Sequence, residues 1–261
     1  MITADDRARV EVFYARTDAL ADDPWALDVL DEAERARHTR YLFDHSKRTL
    51  CASHALVRAV LGRVVSEAPE RLVFEHNAYG RPSLSAAHGC PWVSFNLSHT
   101  EQMVCLAVAS HREVGVDVED ALRDRRTMDV ADRFFSPAEV MALRELEEYQ
   151  QNFRFFAYWT LKESYIKARG MGLAIPLDLF SFELAESEDA RALEGPHPRW
   201  LRDRVELRCD PSLHDLGSRW EFSRAVLSER HVAALALERT EVPATVRFVE
   251  VTSFASVRAM G

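Results

Sequence analysis

The spacing of apolar positions switches several times between a period of two and a period near 3.6, and each switch predicts an element. Residues 9–16 (RVEVFYAR) alternate over most of their length and predict a half-buried strand. From Lys47 onward, Leu50, Leu56, Val57, Val60 and Leu61 recur at helical spacing with Gly62 near the end, predicting a helix. Residues 71–76 (RLVFEH) predict a strand, and the Asn, Gly and Pro of residues 77–82 predict the turn after it. The apolar run Met103 to Ala109 predicts a central strand. Val114 to Glu119 follows directly after a polar break at 110–113, so the two runs predict an antiparallel hairpin. Ser136-Pro-Ala-Glu139 has the N-cap Ser, N1 Pro and N3 Glu of a capping box and should launch a helix carrying Val140, Leu143 and Leu146. A second helix should run from about Asn152 to Arg169, ended by Gly170. Residues 178–186, 219–227, 231–237 and 246–251 read as strands joined by loops.

The order of helix followed by strands occurs twice, and the run from Glu101 to Ala109 echoes the run from Glu229 to Leu237. The expectation is an α+β chain of two similar α/β halves, residues 1–111 and 112–261, divided near Ser110 to Glu113. With 261 residues and 47% hydrophobic content, the chain can bury a core in each half. The N-terminal segment carries acidic residues early and has no apolar stretch of signal-peptide length. Four cysteines without paired spacing fit a reducing cytoplasm and indicate neither a zinc site nor a disulfide framework. A net charge of −9 repels nucleic acid and anionic membrane, so an anionic ligand must be met by a local basic cluster. Arg35/Arg37/Arg40, Lys47/Arg48, Arg123/Arg125/Arg126 and the scattered arginines from Arg199 to Arg208 are the candidates.

In Val114-Gly-Val-Asp-Val-Glu119 the alternation puts Val116 and Val118 on one face and Asp117 and Glu119 on the other. Two carboxylates projecting the same way can share a hard cation such as Mg²⁺, which prefers few protein carboxylates completed by phosphate oxygens and water. The same pattern also suits a plain strand facing solvent, but Gly115 next to the pair points to close approach by another backbone or a ligand. Glu163 and Lys167 lie one helical turn apart, either as a surface ion pair or as a third metal carboxylate with a phosphate-neutralising ammonium; Lys162 is a second candidate for the latter role. Asn96, Ser98, His99 and Thr100 crowd hydroxyl, amide and imidazole groups just before a predicted strand, as a phosphate cradle or a capped turn would. Glycine loops of the Walker or dinucleotide type are absent from the sequence. These residues admit a Mg²⁺-dependent transferase, a hydrolase of nucleotide diphosphates using the same carboxylates, or a non-catalytic binding module.

Taken jointly, Tyr79-Gly-Arg-Pro82, Phe95-Asn-Leu-Ser-His99, Gly115-Val-Asp-Val-Glu119, Arg133-Phe-Phe-Ser136 with Glu139, and Trp159 to Leu173 (WTLKESYIKARGMGL) resemble, in order and approximate spacing, the surfactin-type (Sfp-like) phosphopantetheinyl transferases. The resemblance covers about Asp31 to Phe182. It implies a monomer of two similar halves with coenzyme A in the cleft between them. The implied reaction moves phosphopantetheine from coenzyme A to a serine of an apo acyl or peptidyl carrier protein and leaves 3′,5′-ADP. Residue by residue, it implies Asp117, Glu119 and Glu163 as the Mg²⁺ carboxylates and Glu163, Lys167 and His99 at the reacting centre. Arg48, Arg81, Ser98, His99, Lys162 and Lys167 are the implied contacts to coenzyme A.

Overall fold

A computed structural model describes residues 2–123, 127–184, 196–201 and 204–259. It shows a mixed α+β chain in two compact units: residues 1–77, 82–112 and 242–261 form the first, and residues 78–81 and 113–241 the second. In chain order the elements are β1 (Arg9–Arg16), α1 (Thr17–Ala21), α2 (Pro24–Asp28), α3 (Glu32–Arg40), α4 (Asp44–Val64), β2 (Phe74–His76), β3 (Pro82–Leu84), β4 (Val93–His99) and β5 (Met103–Ser110). There follow β6 (Val114–Asp120), α5 (Thr127–Phe134), α6 (Pro137–Arg144), α7 (Glu148–Ala168), β7 (Phe180–Leu184), β8 (Arg199–Trp200), β9 (Val205–Cys209), β10 (Trp220–Val226), β11 (His231–Glu238), β12 (Thr245–Glu250) and α8 (Phe254–Ala259). None of the described helices is long and apolar enough to cross a membrane.

The first unit is a four-stranded sheet in the order β12-β1-β5-β4. Alternation along the strands puts Phe13, Ala15, Phe95, Val104, Leu106 and Val108 on one face, in a single core with Leu50, Leu56, Val60 and Leu61 of the 21-residue α4. The second unit repeats the plan: a sheet in the order β6-β11-β10-β8 and a 21-residue helix, α7. There Val232, Ala234 and Ala236 of β11 share a core with Phe156, Leu161, Tyr165 and Ile166.

Three expectations are corrected. β5 and β6 do not form a hairpin: β5 pairs with β1 and β4, and β6 pairs with β11. Each has the apolar content of a strand able to pair with the other, but local pattern does not choose between neighbours in sequence and partners far along the chain. Residues 242 onward, expected in the second half, belong to the first, because β12 lies parallel to β1 with Val12 opposite Phe248. The Asn96 to His99 segment, read as a donor-rich lead-in, is itself a strand, with Ser98 opposite Cys105. Other bounds differ less: α7 begins four residues before the expected start, and the strand at 71–76 shortens to β2. Of the strand expected at 178–186, residues 185 and 186 lie outside the described residues.

The first unit is tied together by a buried ion network. Asp31 and Glu34 form the capping box of α3, and both reach the fully buried Arg58 of α4, through Nη2 to Asp31 Oδ2 at 2.6 Å and Nε to Glu34 Oε2 at 2.7 Å. Arg58 Nη1 donates to Pro69 O and Leu72 O, both at 3.0 Å, so the guanidinium holds α3, α4 and the chain leading into β2. Burial alone would raise the Glu34 pKa, but hydrogen bonds from His54, Arg58 and the Asp31 amide outweigh it and bring it from 4.5 to about 2. Below about pH 4.5 the unfolded chain takes up this proton before the folded one does, so the contribution is lost as pH falls toward about 2. Acid titration of unfolding is expected to show a smaller loss over that interval in Glu34→Gln than in the wild type; equal losses would contradict this.

Candidate active site

The site grows from the seam between β6 and α7. Register on β11 sets Gly115 opposite Ala236, Asp117 opposite Ala234 and Glu119 opposite Val232. Since those three β11 residues lie in the core shared with α7, the carboxylate face of β6 is turned toward the helix and not toward solvent. Gly115 makes the approach possible. A Cβ there would lie 2.0 Å from Ser164 O and 2.5 Å from Ala168 N, so the helix backbone rests directly on the strand backbone.

One consequence is the placement of the charged groups. Asp117 is 4% exposed, and Lys167 reaches it from the helix, Nζ to Oδ1 at 2.6 Å. Glu163, one turn earlier on α7, is half-buried. Burial and the negative charge of Asp117 push its pKa from 4.5 up to about 7, with Lys167 pulling the other way. Glu119 is half-buried on the same face of β6, and the end of that strand is held by Arg230, whose Nη2 lies 2.5 Å from Asp120 Oδ2. Among the described residues, no three His, Cys, Asp or Glu side chains are gathered closely enough to hold a metal ion. The donor chemistry nevertheless suits a hard cation: the Glu163 carboxyl is burdened by the charge of Asp117, with Lys167 offsetting it.

Lys162 goes elsewhere. It is fully buried, and Nζ donates to Leu177 O and Phe180 O, both at 2.7 Å, and pairs with Glu139 Oε2 at 2.8 Å. With those acceptors satisfied around it, the ammonium has no donor to offer phosphate, which corrects its expected role as a coenzyme A contact. Arg81, within the second unit, caps the helix that carries Glu163: Nη1 donates to Ala168 O at 2.9 Å and pairs with Glu113 Oε2 at 2.6 Å. In the first unit Arg48 lies on the surface of α4, bidentate to Asp22 at 2.5 and 3.0 Å. Ser98 is buried in β4, and His99 is exposed at the end of that strand. Arg125 and Arg126, named among the basic clusters, lie outside the described residues.

Two supporting roles escaped sequence reading. Glu139 was named as the N3 residue of a capping box and within the family resemblance, and that box is present, yet the same side chain also receives Lys162 and the Phe182 amide, Oε1 at 3.0 Å. Asp215 accepts from Tyr165 Oη at 2.8 Å, Arg169 Nη1 at 2.9 Å and Trp220 Nε1 at 2.9 Å, bracing the last turn of α7. Nothing in its neighbourhood of sequence marks it. The signal that could have pointed to Glu139 is a lysine on a helix face turned to the core, since its buried ammonium needs an acid to receive it.

Comparison with known proteins bears on the family of the chain. Residues 113–236 match the profile of the 4'-phosphopantetheinyl transferase superfamily, and residues 21–111 match the profile described as 4'-phosphopantetheinyl transferase, N-terminal. The 4'-phosphopantetheinyl transferase HetI of Nostoc sp. is 33% identical over 192 residues, covering 74% of this chain and 81% of that protein. A 4'-phosphopantetheinyl transferase of Bacillus subtilis is 29% identical over 175 residues, covering 67% of this chain and 75% of its own length. The 4'-phosphopantetheinyl transferase Sfp of Bacillus subtilis is 33% identical over 144 residues, covering 55% and 61%. With both profiles falling on consecutive parts of the chain, and the β6–α7 seam inside the match at residues 113–236, this enzyme is a phosphopantetheinyl transferase and the chain belongs to the 4'-phosphopantetheinyl transferase superfamily.

Proposed function

We propose that the enzyme, as a surfactin-type member of its superfamily, moves the phosphopantetheine arm of coenzyme A to a serine of an apo acyl or peptidyl carrier protein in a Mg²⁺-dependent reaction. The observation that carries this reading is Glu163, a carboxyl group pushed up to about 7 beside the buried Asp117, which pairs with the partly exposed Lys167. A carboxylate at the ordinary value is a poor base at neutral pH, whereas one near the working pH matches the task.

In the reaction the serine oxygen forms a bond to the phosphorus that carries pantetheine, and the bond from that phosphorus to the bridging oxygen of the diphosphate breaks. The leaving group is 3′,5′-ADP with its bridging oxygen. Glu163 takes the serine proton. Lys167, held at Asp117, presents positive charge to the phosphate oxygens, as a compact ammonium does well. Asp117, Glu119 and Glu163 would hold Mg²⁺, which when bound supplies Lewis-acid stabilisation of charge on the diphosphate. Ser98, His99, Arg48 and Arg81 belong to the same proposal as polar and basic contacts to coenzyme A.

The test is intact-mass measurement of an apo carrier protein incubated with the enzyme and coenzyme A. The carrier is expected to gain the mass of the arm when Mg²⁺ is present and to remain unmodified in excess chelator. A diphosphate-cleaving enzyme would consume coenzyme A and leave the carrier mass unchanged, which would overturn the proposal.

A further inference from the structure

We propose that the buried Glu139–Lys162 ion pair is a positioning device for the reaction, setting the rotation of α7 so that Glu163, the next residue, faces Asp117 of β6. The proposal rests on the reading of Glu163 as the residue that accepts the proton.

Lys162 is fully buried and meets its acceptors from two directions, Glu139 Oε2 at the start of α6 and the carbonyls of Leu177 and Phe180 in the chain leading into β7. Its Nζ also sits 4.3 Å from the centroid of the Phe180 ring. Glu139 is 1% exposed and no less constrained: Oε2 also accepts from Ser136 Oγ at 2.8 Å and Ser136 N at 3.0 Å, and Oε1 accepts from Phe182 N. One ion pair therefore joins α6, α7 and β7. Stability is a weak reason for such an arrangement, because apolar residues of similar volume in place of a buried pair commonly leave stability unchanged or raise it. What a pair with fixed acceptors supplies is direction. Successive residues of a helix are separated by a fixed rotation, so fixing Lys162 on one side fixes where Glu163 points. On another side the helix rests on Gly115 through Ser164 O and Ala168 N, contacts with backbone that would not by themselves resist a slide or a small roll. The side-chain anchor opposes that motion.

Two variants test this. Glu139→Gln keeps the size of the side chain and its capping oxygen while removing the charge, and the double variant Glu139→Leu with Lys162→Met replaces the pair by apolar groups. Urea unfolding, kcat and KM for coenzyme A are measured for both, with Glu163→Gln alongside. The expected result is at least a tenfold loss of kcat, with KM within about twofold of the wild type, in protein that is folded under assay conditions. Wild-type kcat in either variant would overturn the proposal, and if the double variant does not fold, Glu139→Gln decides alone. Wild-type turnover in Glu163→Gln would instead overturn the reading of the active site on which the proposal rests.

Discussion

In Glu163→Gln, transfer of the arm is expected to fall by about 10²–10⁴-fold, the range that a positioned general base contributes, while the metal-free protein becomes more stable at neutral and higher pH. The two effects share one cause. In the folded protein the Glu163 carboxyl titrates at about 7 and in the unfolded chain near 4.5, because burial and Asp117 both oppose its charge. Over that interval the folded state holds the proton more tightly, so the contribution of Glu163 is fully present below about pH 4.5 and lost as pH rises to about 7. Above that pH the ionised group costs about 3 kcal/mol. Glutamine has no charge to pay for in this way, so the variant should unfold at higher urea concentration than the wild type at pH 8 and at a similar one at pH 4.5. A variant that is inactive and also less stable at pH 8 would show that Glu163 supports the fold; an active one would remove it from the chemistry.

Gly115→Ala should be the most damaging small substitution at the seam, lowering stability by about 3 kcal/mol, the upper end for overpacking, and activity with it. The added methyl would meet Ser164 O and Ala168 N, which are backbone atoms of α7 and have no rotamer with which to yield. Either β6 or the helix must move, and the movement separates Lys167 from Asp117 and Glu163 from both. Urea unfolding followed by the mass-shift assay on the folded fraction checks this; a variant of wild-type stability and turnover would show that the helix can back away freely. The control is Gly80→Ala. There a Cβ meets nothing within 4 Å, so only the positive φ of +84° opposes it and the seam is untouched.

Much of this was present in local pattern. The strand at 9–16, the capping box at Ser136, the helix ending at Gly170 and the shared face of Asp117 and Glu119 each follow from residues within one or two turns of each other. Gly115 pointed to a close backbone approach because a strand interior has little other use for it, and the approaching backbone is α7. The corrections share a different character. β5 pairs with β4, the strand just before it, and with β1, at the far N-terminal end of the chain, while its nearest downstream neighbour β6 is not its partner. Strand pairing is decided by which faces can be buried together, and alternation alone is the same for every candidate.

Lys162 shows the boundary most clearly. It and Lys167 stand in one helix, five residues apart, with the same chemistry, and both were candidates to meet phosphate. Sequence by itself determined the helix, its end, the strand carboxylates and the set of charged groups available. Only tertiary structure decided that Lys167 turns to Asp117 while Lys162 is enclosed with Glu139, Leu177 and Phe180. The reason is that helical rotation directs the two lysines to different sides, and what waits on each side comes from segments far away in the chain.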